Sequence, residues 1–272
     1  MENLASCDTV SGASGAVLAP EVKAAIETSL FVLKKEGGFD VVKFWGRVSG
    51  AAADYHLAQG FALPYAVLDT AAAPAKSFYS VDGVQWLAQP AVDAAAVAAY
   101  QPLAMTAPFE GDAQKLYGVA GAEPEEDGGM REEMRLACLV ASVDKDCACV
   151  PRGALVLDAN DAVVKNLSYS GVAEVGALSA ASYKHFRPVV SPKNLVKLGL
   201  GAVESLDFLE SLTDDVPRGC WAIKEAANGT GVTLSNQVWP GFVAFAMYGS
   251  SEYGYAYFGN GSNTLKDISF ML

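Results

Sequence analysis

An α+β fold, built mainly of antiparallel β hairpins and a C-terminal β meander with a few packed helices, is predicted by three features of this 272-residue chain. The first is the run Val41 to Gly60, where residues alternate along two arms about the small residues Gly50 to Ala53. Successive side chains of an extended chain point to opposite faces, so Val42, Phe44, Gly46 and Val48 are expected on one side and Lys43, Trp45, Arg47 and Ser49 on the other. The second is a series of four strand-sized segments near 220–225, 231–236, 241–248 and 253–258, joined by turn residues such as Asn228-Gly229 and Trp239-Pro240-Gly241. The third is that helical stretches fall between strands without regular βαβ rotation.

Taken in order, Met1 to Ala19 is rich in Ser, Gly and Ala and is expected to be a mobile arm, leaving 20–272 as a single domain. Pro20 to Glu36 reads as a helix, with Val22, Ile26, Leu30 and Leu33 on one stripe, Pro20 and Glu21 in the first turn and Lys34 and Lys35 in the last. Gly46 sits inside the first strand, which calls for a bulge or for another backbone packed against it. Ser77 to Trp86 reads as two short strands about the turn dipeptide Asp82-Gly83, and Ala91 to Tyr100 as an alanine-rich helix. Ala107 to Met130, with Glu123, Glu125, Glu126 and Asp127, is expected to be an acidic, solvated loop inserted in the domain. Met134, Leu136, Cys138, Val140 and Ser142 alternate before Asp144-Lys145-Asp146 and Cys147 to Val150, which predicts a second hairpin. Ala154 to Leu157 resumes strand character. Leu178, Ser182 and Phe186 mark a helix ending before Pro188, and Ser205 to Leu212 a short acidic helix. Val216-Pro217-Arg218-Gly219 repeats Val150-Pro151-Arg152-Gly153, and each phrase precedes an apolar strand.

Composition narrows the function. Net charge is -12, contributed as -4 by 1–106, -5 by 107–130, +2 by 131–202, -5 by 203–215 and 0 by 216–272. Such a balance argues against nucleic acid, whose phosphates need a basic surface. No apolar run is long enough to span a bilayer, so no membrane partner is expected. Met1-Glu2-Asn3 lacks the basic start of a secretory signal, which predicts cytosolic synthesis. Cys7, Cys138, Cys147, Cys149 and Cys220 are then expected as reduced thiols, and the sequons at Asn166, Asn228 and Asn260 as chance matches.

Candidate chemistry is sparse. Cys147, Cys149 and Cys138 could approach one another, but a zinc site wants a fourth ligand and His56 and His185 belong to other elements. A thiol and imidazole pair such as Cys220 with His185 could meet only in the fold, and Cys138, Cys147, Cys149 and Cys220 motivate the alternative of a cysteine-dependent cytosolic enzyme. No nucleophile signature surrounds either residue. Ser11 to Gly15 lacks the lysine of a phosphate loop, Gly259 to Ser262 precedes no helix, and 123–127 lacks calcium-loop spacing. No cofactor and no metal are expected. The aromatics are the more telling set: Trp45, Tyr55, Trp239, Tyr253, Tyr255 and Tyr257 are the candidate protein-interaction residues, because alternate phenols at 253, 255 and 257 line one sheet face.

Several phrases carry a family likeness. Phe44-Trp45-Gly46-Arg47, Gly50, Ala53-Asp54-Tyr55, Ala58-Gln59-Gly60, Val150 to Ala154, Leu206-Asp207-Phe208, Val216 to Gly219, Trp239-Pro240-Gly241, Tyr253-Gly254-Tyr255 and the ending Phe270-Met271-Leu272 resemble, in order and spacing, the radial spoke head protein 9 family. The departures are His56, where an aromatic is expected, and the stretches near 62–75 and 107–130. The resemblance implies a non-enzymatic structural subunit of the ciliary or flagellar axoneme, without catalytic residues. It also implies partners: other radial spoke head proteins, including the larger paralogous head subunits, and transient contact with central pair projections; the oligomeric state is not fixed by sequence, and a homodimer is left open.

Overall fold

In a computed structural model the described residues are 4–62, 75–118, 129–157, 163–188, 208–226 and 229–264. In chain order the helices are α1 (Cys7–Ser14), α2 (Pro20–Gly37), α3 (Ala94–Thr106) and α4 (Glu132–Cys147). The strands are β1 (Val41–Val48), β2 (Tyr55–Phe61), β3 (Lys76–Ser80), β4 (Leu87–Ala88), β5 (Leu116–Gly118), β6 (Gly129–Arg131), β7 (Cys149–Pro151), β8 (Leu155–Leu157) and β9 (Val163–Lys165). Then follow β10 (Tyr183–Pro188), β11 (Leu209–Ser211), β12 (Trp221–Glu225), β13 (Gly231–Asn236), β14 (Phe242–Met247) and β15 (Tyr253–Gly259).

An eight-stranded sheet dominates, in the order β12-β13-β14-β15-β1-β2-β3-β4. All its pairings are antiparallel except β1 with β15, where the opening hairpin meets the C-terminal meander in parallel. The α+β expectation, with its C-terminal meander, therefore holds. Both faces of the sheet are covered. Leu4, Cys7, Val10, Ile26 and Leu30 from the α1 and α2 side pack on Phe44, Phe245 and Phe258, while α3 and α4 cover Trp45, Tyr55, Leu57, Trp239 and Tyr257. Burying both faces removes the one-sided alternation of a surface sheet.

Gly46 is where the hairpin departs from simple alternation. Register between β1 and β2 shifts between Phe44 and Gly46, so a bulge flips the phase of the strand. Phe44 consequently joins the α1/α2 core, while Trp45 and Val48 both join the other, which corrects the expected sharing of a face by Phe44 and Val48. Gly46 also lies where a Cβ would run into the backbone of Tyr257 at the parallel seam, with φ of +152°. Bulge and close approach occur together.

Four expectations are corrected. The second hairpin is instead α4 followed by the three-residue strand β7. Leu136, Ala137, Cys138, Leu139 and Val140 are buried in one unbroken run, and only Ala141 and Lys145 within the helix are exposed, which masks its helical period in the sequence. The helix expected over 178–186 is a 3-10 turn at Ala180–Ser182 and then β10, where Tyr183 and His185 alternate inward and pair with β7. Of the helix expected at 205–212, residues 205–207 lie outside the described residues, and 209–211 form β11 beside β10. The expected mobile arm carries α1 instead, because Leu4, Cys7 and Val10 form an apolar stripe that the Ser and Gly content obscured.

Of the acidic stretch 107–130, residues 119–128 lie outside the described residues. The flanks β5 and β6 pair with each other, and Phe109 and Met130 are buried.

Candidate functional site

The polar ends of four of the six nominated aromatics, Trp45, Tyr55, Trp239 and Tyr255, meet three carboxylates of α4. Asp144 accepts from Trp45 Nε1 at 2.7 Å, Gln59 Nε2 at 2.6 Å and Tyr255 OH at 3.1 Å. Trp239 Nε1 donates to Asp146 at 3.1 Å, two residues further along the helix end. At the other end, Glu132 accepts from Tyr55 OH at 2.8 Å, Tyr117 OH at 2.5 Å and the main-chain N–H groups of Glu110 and Gly111 at 3.0 and 2.8 Å. A single buried helix thereby ties together β1, β2, β15 and the segment entering the acidic stretch.

The electrostatics of that face are those of a dry interior. Burial pushes the Asp144 carboxyl above the usual carboxylate range, with its three neutral donors pulling it partly back. Arg135 and Glu132 are fully buried 3.9 Å apart, and the guanidinium lies 4.6 Å from the Phe109 ring centre and 4.0 Å from that of Tyr117. The Tyr117 phenol is pushed up to about 12 by burial first and by Glu132 second.

These contacts settle where the six candidate interaction residues lie. Trp45, Tyr55, Trp239 and Tyr257 are buried in the α3/α4 core, so in the folded monomer they pack inward rather than toward a neighbour. Tyr257 OH accepts from Gly261 N at 3.0 Å, and its ring lies 5.4 Å from that of Trp45. Tyr253, Tyr255 and Tyr257 do share a face, and it is the face that α4 covers. Tyr255 and Tyr253 are partly buried. Only Tyr253 turns its ring toward a loop, meeting Tyr169 edge-on at 6.0 Å. The alternation of the phenols is legible in the sequence, whereas the helix that buries them lies where the sequence predicts a hairpin.

The same geometry bears on the thiol alternative. All five cysteines are buried and unbridged. Burial pushes Cys7, Cys138 and Cys220 up to about 11 and Cys149 higher, away from a reactive thiolate. His185 stands opposite Cys149 in the β7–β10 ladder, yet its Nε2 meets Asp215 at 2.7 Å and its Nδ1 meets no described residue. The imidazole is thus paired with a carboxylate, which Trp221 Nε1 also reaches at 2.7 Å, and not with Cys220. Among the described residues no group of three or more His, Cys, Asp or Glu is arranged to hold a metal ion.

Outward-facing apolar side chains sit on segments that are firmly held. In the loop between β9 and β10, Leu167 is 87% exposed and Val175 96%. That loop is stapled to the sheet: Val172 N donates to Met247 O at 3.3 Å, Gly171 lies against the Gly249–Ser250 backbone, and Tyr169 packs on Tyr253. A second set, Val81, Val84 and Leu87, is carried by the β3–β4 hairpin, which Ser29 of α2 holds by donating to Gly83 O at 2.7 Å and accepting from Trp86 Nε1 at 2.9 Å. Neither set figured among the sequence candidates, because an isolated Leu or Val in a polar loop gives no periodic signal. Exposed apolar groups on an ordered backbone suit protein contact.

No protein-family model matches the chain. It is 34% identical over 275 residues to a protein of Danio rerio named radial spoke head protein 9 homolog, covering 97% of this chain and 96% of that one. It is also 32% identical to the Bos taurus and Homo sapiens proteins of the same name, over 282 and 280 residues, which is 100% and 99% of this chain and 99% and 98% of theirs. With relatives this similar aligned from end to end, the chain belongs to the radial spoke head protein 9 family.

Proposed function

We propose that the chain is a non-enzymatic structural subunit of the radial spoke head in the axoneme of a cilium or flagellum. Other head proteins, among them the larger paralogous subunits, hold it there so that the spoke passes signals between the central pair and the dynein arms. The supporting observation is coverage: relatives bearing that name share 97–100% of the chain with it, so the whole folded unit and not one motif is what they have in common. The buried, weakly acidic thiols speak against the cysteine-enzyme alternative. Self-association has less support, because two copies at net charge -12 repel each other.

The surface nominated for neighbours is the stapled loop with Leu167 and Val175, next to Tyr253. Replacing Leu167 and Val175 together with Asp should release the subunit from purified head complexes while leaving its melting temperature within about 2 °C, since surface substitutions cost little stability. Retention at normal stoichiometry would remove this loop from the interface. Thiol titration of the native chain separates the rival: slow labelling of all five cysteines is expected, and one rapidly reacting thiol would favour an enzyme.

A further inference from the structure

We propose that β12, a terminal strand of the eight-stranded sheet, is extended by a strand of a neighbouring polypeptide that carries apolar side chains on the face beside Ile223 and an acidic side chain beside Lys224. The neighbour is a spoke head protein if the function proposed above is right.

Two hydrogen bonds fix which backbone groups of β12 are already taken. Gln237 N donates to Cys220 O at one end of the β12–β13 ladder, and Ala226 N donates to Gly231 O at the other, both at 2.8 Å. Between them the register runs without a shift, from Trp221 opposite Asn236 to Glu225 opposite Val232. Residues of an antiparallel strand turn their N–H and C=O alternately toward and away from one neighbour. Ala222 and Lys224 therefore bond to β13, while Ile223 and Glu225 turn their backbone groups off the sheet. Among the described residues nothing pairs with those outward groups.

Sheet edges are ordinarily blunted by brevity, proline or bulges. The opposite edge, β4, has two residues and Pro90 close behind it, whereas β12 has five with neither proline nor bulge. A regular open edge is a template for an added strand. The side chains say which strand. Trp221 and Ile223 pack on the α3/α4 core, and Ile223 is half-buried there, so an apolar side chain opposite it completes its cover. Lys224 lies on the other face, across from Thr233, exposed and without an acidic partner among the described residues. A carboxylate directly opposite complements it. A second copy is the poorer occupant, since two chains at net charge -12 repel. The edge also adjoins the loop nominated above: Val172 of that loop bridges Tyr248, whose phenol is raised by burial and then by Glu225 of β12 and Glu174 of the loop.

The test reads amide hydrogen exchange along β12 in the free full-length chain and in purified head complexes. In the free chain Ala222 and Lys224 should exchange slowly and Ile223 and Glu225 fast; in the heads Ile223 and Glu225 should slow by at least about tenfold. Ile223→Pro removes an outward N–H and no bond to β13, so it should be lost from the heads, while Ile223→Ala, which keeps the N–H, should be retained. A melting temperature within about 5 °C of the wild type establishes that the proline variant folds, and the exchange measurement needs no variant. Lys224→Glu should speed dissociation from the heads roughly fivefold. Retention of a folded Ile223→Pro chain at normal stoichiometry, unchanged dissociation of Lys224→Glu, or fast exchange at Ile223 and Glu225 in the heads would overturn the assignment. So would slow exchange at both in the free chain, which would mean that this chain or a second copy covers the edge. An unprotected edge in a chain that still enters heads removes only the added strand, whereas failure of the wild type to enter heads removes the functional reading as well.

Discussion

Asp144 is a half-buried carboxylate with three neutral donors and no cation among its hydrogen-bond partners. Replacing it by Ala leaves the Trp45, Gln59 and Tyr255 donors without their acceptor, and at roughly 1–3 kcal/mol for each group left buried and unpaired the loss should be several kcal/mol by urea denaturation. Its pH signature has a definite sign. With the folded carboxyl raised above its unfolded value, the native state binds more protons in the interval between the two, so this contribution to stability grows as pH falls toward about 4. Asp144→Asn should abolish that trend. His56 behaves in the opposite way. Burial and then the cross-strand Arg47 lower its imidazole, so protons favour the unfolded chain and stability falls as pH drops below about 6.5. His56→Phe, which restores the aromatic that the family resemblance leads one to expect, should flatten the difference in urea midpoint between pH 7.5 and 5.5; an unchanged difference would remove His56 as its source.

At the scale of elements, legibility followed how many faces an element buries. Helix α2 was readable because Ile26, Ser29 and Leu30 face the sheet while Phe31, Lys34 and Lys35 face water. Helix α4 was not, since Leu136 to Val140 are buried without a break and Met134, Leu136 and Cys138 happened to alternate. The site is hidden by the same run: a strand over 134–142 makes Asp144 and Asp146 turn residues, which leaves the phenols and indoles without acceptors and their rings facing partners. The helix-start signal was present in Glu132 and Glu133, and the helix-end signal in Lys145. Two substitutions test the elements directly. Gly46→Ala puts a Cβ into the Tyr257 backbone at a positive φ, and should cost about 3 kcal/mol or more. Glu132→Leu strands the buried Arg135 guanidinium and should cost about 3–5 kcal/mol, while Glu132→Leu with Arg135→Met should recover a large part of it. Additive losses in the double variant would show that the two side chains are not coupled.

For the whole molecule, the informative feature is the parallel seam, where Gly46 pairs with Tyr257 and Val48 with Gly259. It joins the two ends of the chain in one sheet, and the α3/α4 core draws on both, with Trp45, Tyr55 and Leu57 from one side and Trp239, Phe242 and Tyr257 from the other. Neither half of the sheet buries its helix-facing side alone. Chains of this length often unfold in steps, yet a shared core predicts one transition. Trp45, Trp221 and Trp239 belong to the same cluster and Trp86 packs on the α1/α2 side, so indole fluorescence reports on both cores, three rings to one, while far-ultraviolet circular dichroism reports on all the strands and helices. The two should trace superimposable urea curves with one midpoint. Deleting 41–62 should leave β15 an open edge and yield an insoluble chain, because the strand that shields it and half of the aromatic packing are gone together. Separated midpoints, or a soluble and folded 41–62 deletion, would mean that the meander stands on its own and that the seam is a docking contact between two independent units.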